Sequence, residues 1–198
     1  MARHERGRGA KRIAGRGLTQ YFTATSLDGF LADENGSLEW LFKTPHADDS
    51  TRWQDFFSQV GAMAMGATTY EWALDHDALL ERPDRWHDYY ADVPCWIFTN
   101  RDLPRIPGAE LRFVGGKVAP VHADMSAVAG GKNIWIVGGG DLVGQFHDAG
   151  LLDEIHVSLA PVTLGAGAPL LPRRIEGMHV ASVSQDGERV NITYEVRA

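Results

Sequence analysis

Three consecutive glycines, at positions 138–140, separate an apolar stretch from a segment of helical character in NIWIVGGGDLVGQF (133–146). Glycine weakens strands and helices, so a run of it indicates a place where something approaches the backbone closely. A phosphate group is the common ligand of bare backbone N–H groups where a helix begins. The alternative is a tight turn between strand and helix that binds nothing.

The run matches neither standard phosphate-loop pattern. In the dinucleotide pattern Gly-x-Gly-x-x-Gly, Val143 holds the third glycine position, and the pattern belongs to the first strand–helix unit of a fold, whereas this run lies late in the chain. The nucleoside-triphosphate loop ends in Gly-Lys-Ser/Thr, but here Gly144 is followed by Gln145. The glycines therefore need support from other segments before they indicate a ligand.

Two further segments end a predicted strand in groups that bind phosphate. In MGATTYE (65–71), a glycine and two hydroxyl side chains stand where a helix is predicted to begin, and free N–H groups there attract anions. In IFTNRD (97–102), a strand is followed by an Arg guanidinium, which pairs with phosphate through two N–H groups. The side chains concerned are Thr68, Thr69, Thr99, Asn100 and Arg101. Three such strand ends together predict one extended ligand with several phosphates, a dinucleotide, across the carboxyl edge of a sheet.

Two carboxylates could serve acid–base chemistry, and each also has a structural explanation. Asp49 precedes Trp53 by four residues and Phe56 by seven, which places it on the apolar face of a helix predicted over 49–60. A carboxylate on that face is costly to bury without a partner, yet an acid at a helix start also serves as a cap. Asp28, in a Ser-Leu-Asp-Gly turn, could face a pocket or accept hydrogen bonds within its own turn.

A metal site is not predicted. Cys95 is the only cysteine, which excludes an internal disulfide and a zinc site built from several cysteines. The eight histidines are scattered, and HADD (46–49) and DHD (75–77) are polar stretches typical of solvated loops. Metal ligands must converge and need supporting partners, which this pattern does not offer.

The segments that would position these groups alternate between strand and helix character. Apolar runs predict strands over 19–26, 61–66, 95–99, 110–114 and 133–137. Besides the helix over 49–60, weaker helical patterns cover 67–74, 120–129 and 140–149. Toward the end, DEIHVSLAPV and RVNITYEVR alternate apolar with polar residues, which predicts half-buried antiparallel strands. The sequence thus predicts an α/β domain with a mostly parallel sheet and a β-rich C-terminal end.

Length, composition and charge predict one soluble domain behind a basic tail. The 198 residues are 44% apolar and 23% charged, and no apolar run approaches the ~20 residues that cross a bilayer. The N-terminus lacks the apolar core of a secretory signal, so we predict a cytoplasmic protein. Residues 1–18 carry a charge of +5, and since the chain carries −7, residues 19–198 carry −12. The tail is predicted to be disordered rather than a nucleic-acid arm, and the acidic domain over 19–198 disfavours a nucleic-acid partner.

In their order, these motifs resemble those of dihydrofolate-reductase-like proteins. More narrowly, they resemble the branch related to the C-terminal reductase domain of bifunctional riboflavin-biosynthesis enzymes. The resemblance covers about residues 19–197 and rests on TATSLDGFLADENGSLEWL, MGATTYE, IFTNRD, IWIVGGGDLV and GLLDEIHVSLAPVTLGAGAPLL. It implies an eight-stranded, mostly parallel mixed sheet flanked by helices, with antiparallel C-terminal strands. It also implies NADPH bound in an extended conformation and a homodimer paired through those last strands.

Carried over by position, the resemblance implies which residues form the site. The glycine run would hold the pyrophosphate, and the 65–71 segment would hold the same phosphates from the other side. The 97–102 segment would surround the adenosine 2′-phosphate. The implied cofactor residues are Ala24, Gly66, Thr68, Thr69, Thr99, Asn100, Arg101, Val137, Gly138, Gly139, Gly140, Asp141 and Leu142. The implied catalytic candidates are Asp49 and Asp28, and the implied substrate contacts are Trp40, Trp53 and Phe57.

Two departures from the family pattern bear on function. Ala67 stands where members often carry an Arg, which leaves Arg101 to select NADPH over NADH. The segment 31–40 supplies no cation for a ribose phosphate, and no deaminase domain is attached, so a general reductase is favoured over a riboflavin enzyme. The predicted activity is NADPH-dependent hydride transfer to a small heteroaromatic (pterin- or aminopyrimidine-like) or carbonyl-type substrate. The alternative is a nucleotide-binding protein of the same fold without catalysis.

Overall fold

The computed structural model describes residues 16–44 and 50–196, with Ser50 described by its backbone alone. Residues 1–15, most of the predicted tail, lie outside the described part, as do Asp48 and Asp49. None of the helices in the described ranges combines the length and the apolar character that crossing a membrane requires.

Within these ranges the chain forms six helices and ten strands. The helices are α1 Glu39–Lys43, α2 Ser50–Ser58, α3 Ala67–His76, α4 Asp84–Tyr90, α5 Val118–Ala129 and α6 Gly140–Asp148. The strands are β1 Thr19–Thr25, β2 Phe30–Ala32, β3 Val60–Gly66, β4 Cys95–Phe98, β5 Leu111–Val114, β6 Asn133–Gly138, β7 Glu154–Leu159, β8 Ala168–Pro169, β9 His179–Asp186 and β10 Arg189–Glu195.

Eight of these strands form one sheet in the order β5-β4-β3-β6-β1-β7-β10-β9, and β2 pairs with β8 beside it. The pairs from β5 to β7 are parallel, whereas β10 runs antiparallel to both β7 and β9. The predicted fold class, a mostly parallel mixed sheet with antiparallel C-terminal strands, is confirmed. The apolar runs in β3 and β6 follow from this topology, because a parallel strand between two others is covered on both faces.

Helices cover both faces of the sheet. On one face Met125 of α5 and Phe146 of α6 are fully buried against Ile136 of β6. On the other face α2, α3 and α4 pack over Met63 of β3 and Trp135 of β6. Each fully buried large apolar side chain contributes about 1.5–3 kcal/mol to stability.

The apolar stripe predicted for 49–60 is confirmed in α2. Phe56 stacks on Phe22 of β1 with ring centroids 4.3 Å apart, and Trp53 meets Trp135 edge-on at 5.1 Å. The helix ends earlier than predicted, since Val60 is buried and already pairs with Asn133 as the first residue of β3.

Candidate active site

A cleft of about 560 Å³ opens at the carboxyl ends of β1, β3 and β6. Ligands of open parallel sheets bind at this edge because the loops and helix starts gather there. The predicted cofactor residues that line the cleft are Ala24, Gly66, Thr68, Thr69, Val137, Gly138, Gly139, Gly140, Asp141 and Leu142. The structure therefore brings two of the three predicted strand ends, after β3 and after β6, to one cavity.

The three glycines that run from the end of β6 to the start of α6 differ in what requires the lack of a side chain. Gly138 has φ +145°, a backbone conformation that favours glycine, and its peptide bond to Gly139 is cis. A Cβ at Gly140 would overlap the carbonyl oxygens of Leu170 and Pro169, since the β8 segment passes directly over it. Gly139 has an ordinary extended conformation, φ −83° and ψ −177°, and the nearest atom to an added Cβ is Thr69 Oγ1 at 3.9 Å. Among the described residues, no close contact therefore requires glycine at 139.

Two helix starts meet at this point. Gly66 is the N-cap of α3 and Gly139 the N-cap of α6, and neither helix start has a side-chain cap hydrogen bond. Since the first N–H groups of a helix have no partner within it, an uncapped start presents donors and partial positive charge. A Cβ at Gly66 would lie 3.6 Å from the Gly138 carbonyl oxygen and from the Gly139 nitrogen. The two helix starts therefore face one small region, which suits an anion with several oxygens.

Asp141 lines the cleft, but other side chains hold its carboxylate. Gln145 donates to it at 2.9 Å and Arg173 at 2.8 Å, and these hydrogen bonds hold the pKa of Asp141 below its usual range. Arg173 also donates to Asp148 at 3.0 Å and lies across α6 where Gly144 leaves room. These contacts fasten the segment that follows β8 to α6 and so shape one wall of the cleft.

The third predicted strand end, Thr99–Arg101, does not line the cleft. It follows Phe98, which does line it, and Thr99 Oγ1 accepts a hydrogen bond from the Arg101 N–H at 2.9 Å. The Arg101 guanidinium donates to both carboxylate oxygens of Glu71 in α3, at 2.8 and 2.7 Å. The structure thus places the predicted cationic group beside the cleft with its charge already paired.

A second set of lining residues, which we call the apolar end of the cleft, differs from the predicted substrate contacts. It consists of Leu31 and Ala32 of β2, Leu38 and Leu41 at α1, and Trp72 of α3. The predicted Trp53 and Phe57 instead pack on Trp135, with ring centroids of 5.1 and 6.4 Å, and do not line the cleft. Trp40 does not line it either, and its buried indole N–H has no hydrogen-bond partner among the described residues. Two leucines three residues apart, at the N-cap and in a helix of five residues, are too short a pattern to predict this wall.

Long-range contacts hold α1 in place. Arg189 of β10 donates to the carbonyl oxygens of Leu41 at 2.6 Å and Thr44 at 3.1 Å, and burial lowers the pKa of its guanidinium. On the other side Phe42 stacks on His76 of α3 at 5.2 Å, and His76 stacks on Trp72 at 4.4 Å. The position of α1 in the apolar wall therefore depends on a contact between residues that lie more than a hundred positions apart in the sequence.

Asp28 joins its turn to a distant loop and does not line the cleft. Its carboxylate accepts hydrogen bonds from Ser26 Oγ at 2.6 Å and from the backbone N–H groups of Leu164 and Gly165 at 3.1 and 2.7 Å. The Ser26 bond first, and the Gly165 bond next, lower the pKa of Asp28. Of the two interpretations of this residue, the geometry corresponds to the structural one.

Comparison with known proteins shows which family this chain resembles. Residues 90–191 match the family model described as RibD C-terminal domain. The Bacillus subtilis (strain 168) protein named Uncharacterized protein YwjB is 30% identical over 182 residues, which cover 91% of this chain and 98% of that protein.

Two solved structures have the same architecture. A protein of Shewanella sp. PV-4, provisionally named for riboflavin biosynthesis, is 26% identical with a TM-score of 0.74, covering 91% of this chain and 99% of that one. Dihydrofolate reductase from Enterococcus faecalis, complexed with NADP(H) and RAB-propyl, is 12% identical with a TM-score of 0.61, covering 92% of this chain and 98% of that one. The second likeness is one of fold alone.

Proposed function

The chain belongs to the RibD C-terminal domain family, and we propose that it is a reductase that binds NADPH in the cleft. Its substrate would be a small heteroaromatic compound (pterin- or aminopyrimidine-like) or a carbonyl compound. The family of reductase domains supports an oxidoreductase, and the Enterococcus faecalis enzyme of the same fold was solved with NADP(H). The finer assignment of cofactor and substrate rests on the cleft.

Gly139 is the observation that carries the proposal. It lies between two uncapped helix starts, its φ and ψ are open to any residue, and within the described part of the chain the atom nearest to an added Cβ is Thr69 Oγ1 at 3.9 Å. A ligand that touches the backbone at this point explains why the chain has glycine there. A pyrophosphate fits, because N–H groups at helix starts bind phosphate oxygens.

The residues fit NADPH in an extended conformation. The N–H groups at the start of α6 and α3 would hold the pyrophosphate, joined by the hydroxyls of Thr68 and Thr69. Ala24, at the carboxyl end of β1, would line the nicotinamide pocket, and Arg101 would meet the adenosine 2′-phosphate. Bound NADPH supplies a hydride at its nicotinamide ring.

The apolar end of the cleft would receive the substrate. Leu31, Leu41 and Trp72 offer flat apolar contacts that exclude water from a planar ring. Among the described residues that line the cleft, Asp141 alone is charged, and it lies at the nucleotide end. A neutral ring fits this surface better than a ribose phosphate does. We propose Asp49, which directly precedes α2, as the carboxylate that orients the substrate and assists its protonation.

We also propose a homodimer paired through β9. This strand is one of the two outer strands of the eight-stranded sheet, and its Val180 and Val183 side chains are 59% and 61% exposed. An unpaired strand edge with apolar side chains invites pairing with a second copy. Light scattering at micromolar concentration should give the mass of two chains, and the mass of one chain would contradict the proposal.

The nucleotide site is tested by titrating NADPH into wild-type protein and into variants at two neighbouring glycines. Gly139→Val and Gly139→Ala should fold normally but bind NADPH about 10- to 100-fold more weakly, the effect of losing one or two charge-assisted hydrogen bonds. Gly140→Ala is the matched comparison: it should lower the free energy of unfolding by about 1–3 kcal/mol, because its Cβ meets backbone oxygens that cannot yield freely.

Normal NADPH affinity in a well-folded Gly139→Val variant would make the glycine run a simple turn. Oxidation of NADPH in the presence of pterins, aminopyrimidines or quinones then separates a reductase from a nucleotide-binding protein without catalysis. Binding without oxidation across that panel would favour the second.

A further inference from the structure

The ion pair between Arg101 and Glu71 joins the turn after β4 to α3 at the side of the cleft. Both terminal nitrogens of the guanidinium donate to Glu71, one to each carboxylate oxygen, at 2.8 and 2.7 Å. The Arg101 side chain is 56% exposed and that of Glu71 36%, so solvent and ligands reach the pair. The two-point geometry is the one that a guanidinium would use to bind a phosphate.

The backbone around Arg101 is held independently of this ion pair. Thr99 Oγ1 accepts the Arg101 N–H at 2.9 Å, and the Asn100 side chain lies over Gly115, where a Cβ would stand 2.5 Å from Asn100 Oδ1. A change at Glu71 therefore alters the partner of the guanidinium without releasing the turn that carries it.

We infer that Glu71 sets the nucleotide preference of the cleft, by competing with the adenosine 2′-phosphate for the Arg101 guanidinium. This inference rests on the proposed function. To bind, NADPH must displace the Glu71 carboxylate from the Arg101 guanidinium. Its 2′-phosphate then lies close to the negative charge of Glu71. NADH has a neutral 2′-hydroxyl in place of the phosphate and makes no such demand. Glu71 thus weakens the binding of NADPH selectively and narrows the preference for NADPH over NADH.

The neighbouring sequence strengthens the assignment. Ala67 lies four residues before Glu71 on the same face of α3 and brings no charge. Arg101 is therefore the cation that this helix face and turn offer to the phosphate, and its availability depends on Glu71.

The test compares the dissociation constants of NADPH and NADH for wild type, Glu71→Gln and Glu81→Gln. Glu71→Gln keeps the size and polarity of the side chain but removes its charge. It should bind NADPH about 3- to 10-fold more tightly and leave NADH within about twofold, the scale of an exposed charge pair. Glu81→Gln removes the same charge from an exposed turn and controls for net charge. Its two constants should match those of wild type.

A double variant tests whether Glu71 acts on NADPH through the Arg101 guanidinium. In the Arg101→Ala background, Glu71→Gln should no longer tighten NADPH, because the guanidinium it frees is gone. Unchanged NADPH affinity in Glu71→Gln, an equal gain for both nucleotides, or a gain that persists without Arg101 would each overturn the inference and leave the proposed function intact. Failure of wild type to bind either nucleotide would overturn both.

Discussion

The two ends of the cleft are built in different ways. At the nucleotide end, two short segments, 66–69 and 137–142, line the cleft and present backbone N–H groups where β3 and β6 end and α3 and α6 begin. At the apolar end, β2, α1 and Trp72 supply side chains, and Arg189 of β10 and the ring of His76 hold them in place. The first end is specified by residues that are neighbours in sequence, and the second by residues that become neighbours only in the fold.

The two ends therefore differ in how freely their binding surfaces can change. Phosphates are common to all the ligands of such a site, so a binding surface made of backbone can stay constant while the chain changes. A substrate pocket made of side chains from separate segments can change one segment at a time. Under the proposed function, the apolar end is therefore where the substrate would bind, and its neutral surface would exclude a charged substrate more strongly than the nucleotide end does.

The largest expected effect concerns the group that would give the apolar end its chemistry. Asp49→Asn should keep NADPH affinity but lower turnover about 10²-fold or more, because hydride transfer to a C=N or C=O bond leaves negative charge that must be protonated. Turnover, NADPH affinity and melting temperature are measured on the same variant. Normal turnover in Asp49→Asn, together with a stability loss of about 0.5–2 kcal/mol in Asp49→Ala, would make Asp49 a helix cap and direct the search to Asp48, because Asn caps a helix as well as Asp does and Ala does not.

The two ends of the cleft also differ in how much of them could be predicted from the sequence. The strands β3 and β6 and the turns after them were predicted because apolar runs and glycines are local signals. The C-terminal strands followed from their strict alternation. At this end, the interpretation as a nucleotide site needed only the order of the motifs along the chain.

The apolar end was not predictable in this way. The five-residue helix α1 is too short for a periodic pattern, and it depends on Arg189, which lies 148 residues beyond Leu41. Trp53 and Phe57 were predicted to touch substrate, since an aromatic stripe does not say whether it faces a cavity or a sheet. In the structure they are partly buried, pack on Trp135 and do not line the cleft.

A smaller effect should follow from loosening the apolar end alone. Arg189→Leu removes the donor to the Leu41 and Thr44 carbonyl oxygens, at a cost of about 1–3 kcal/mol for acceptors left without a partner. Hydrogen exchange should quicken in α1 and stay unchanged at the start of α6, and NADPH affinity should hold. Arg174→Leu is the control, because Arg174 is exposed and pairs with its neighbour Glu176. Equal exchange changes at both ends would show that the cleft responds as one unit.

The smallest expected effect concerns the core beneath the cleft, and it is a loss of stability as pH falls. His122 of α5 is buried with its Nε2 2.8 Å from Thr19 Oγ1, and burial lowers its pKa.

The unfolded chain therefore binds the His122 proton more readily than the folded one, so stability is full above about pH 6.5 and falls as pH drops toward the lowered pKa. Asp28 and Asp141, whose pKa values are also lowered, contribute stability that is present above about pH 4 and is lost only below it. Urea unfolding from pH 8 to pH 3 should show two separate declines, with the upper one absent in His122→Gln. If that variant keeps the decline that begins near pH 6.5, a group other than His122 causes it.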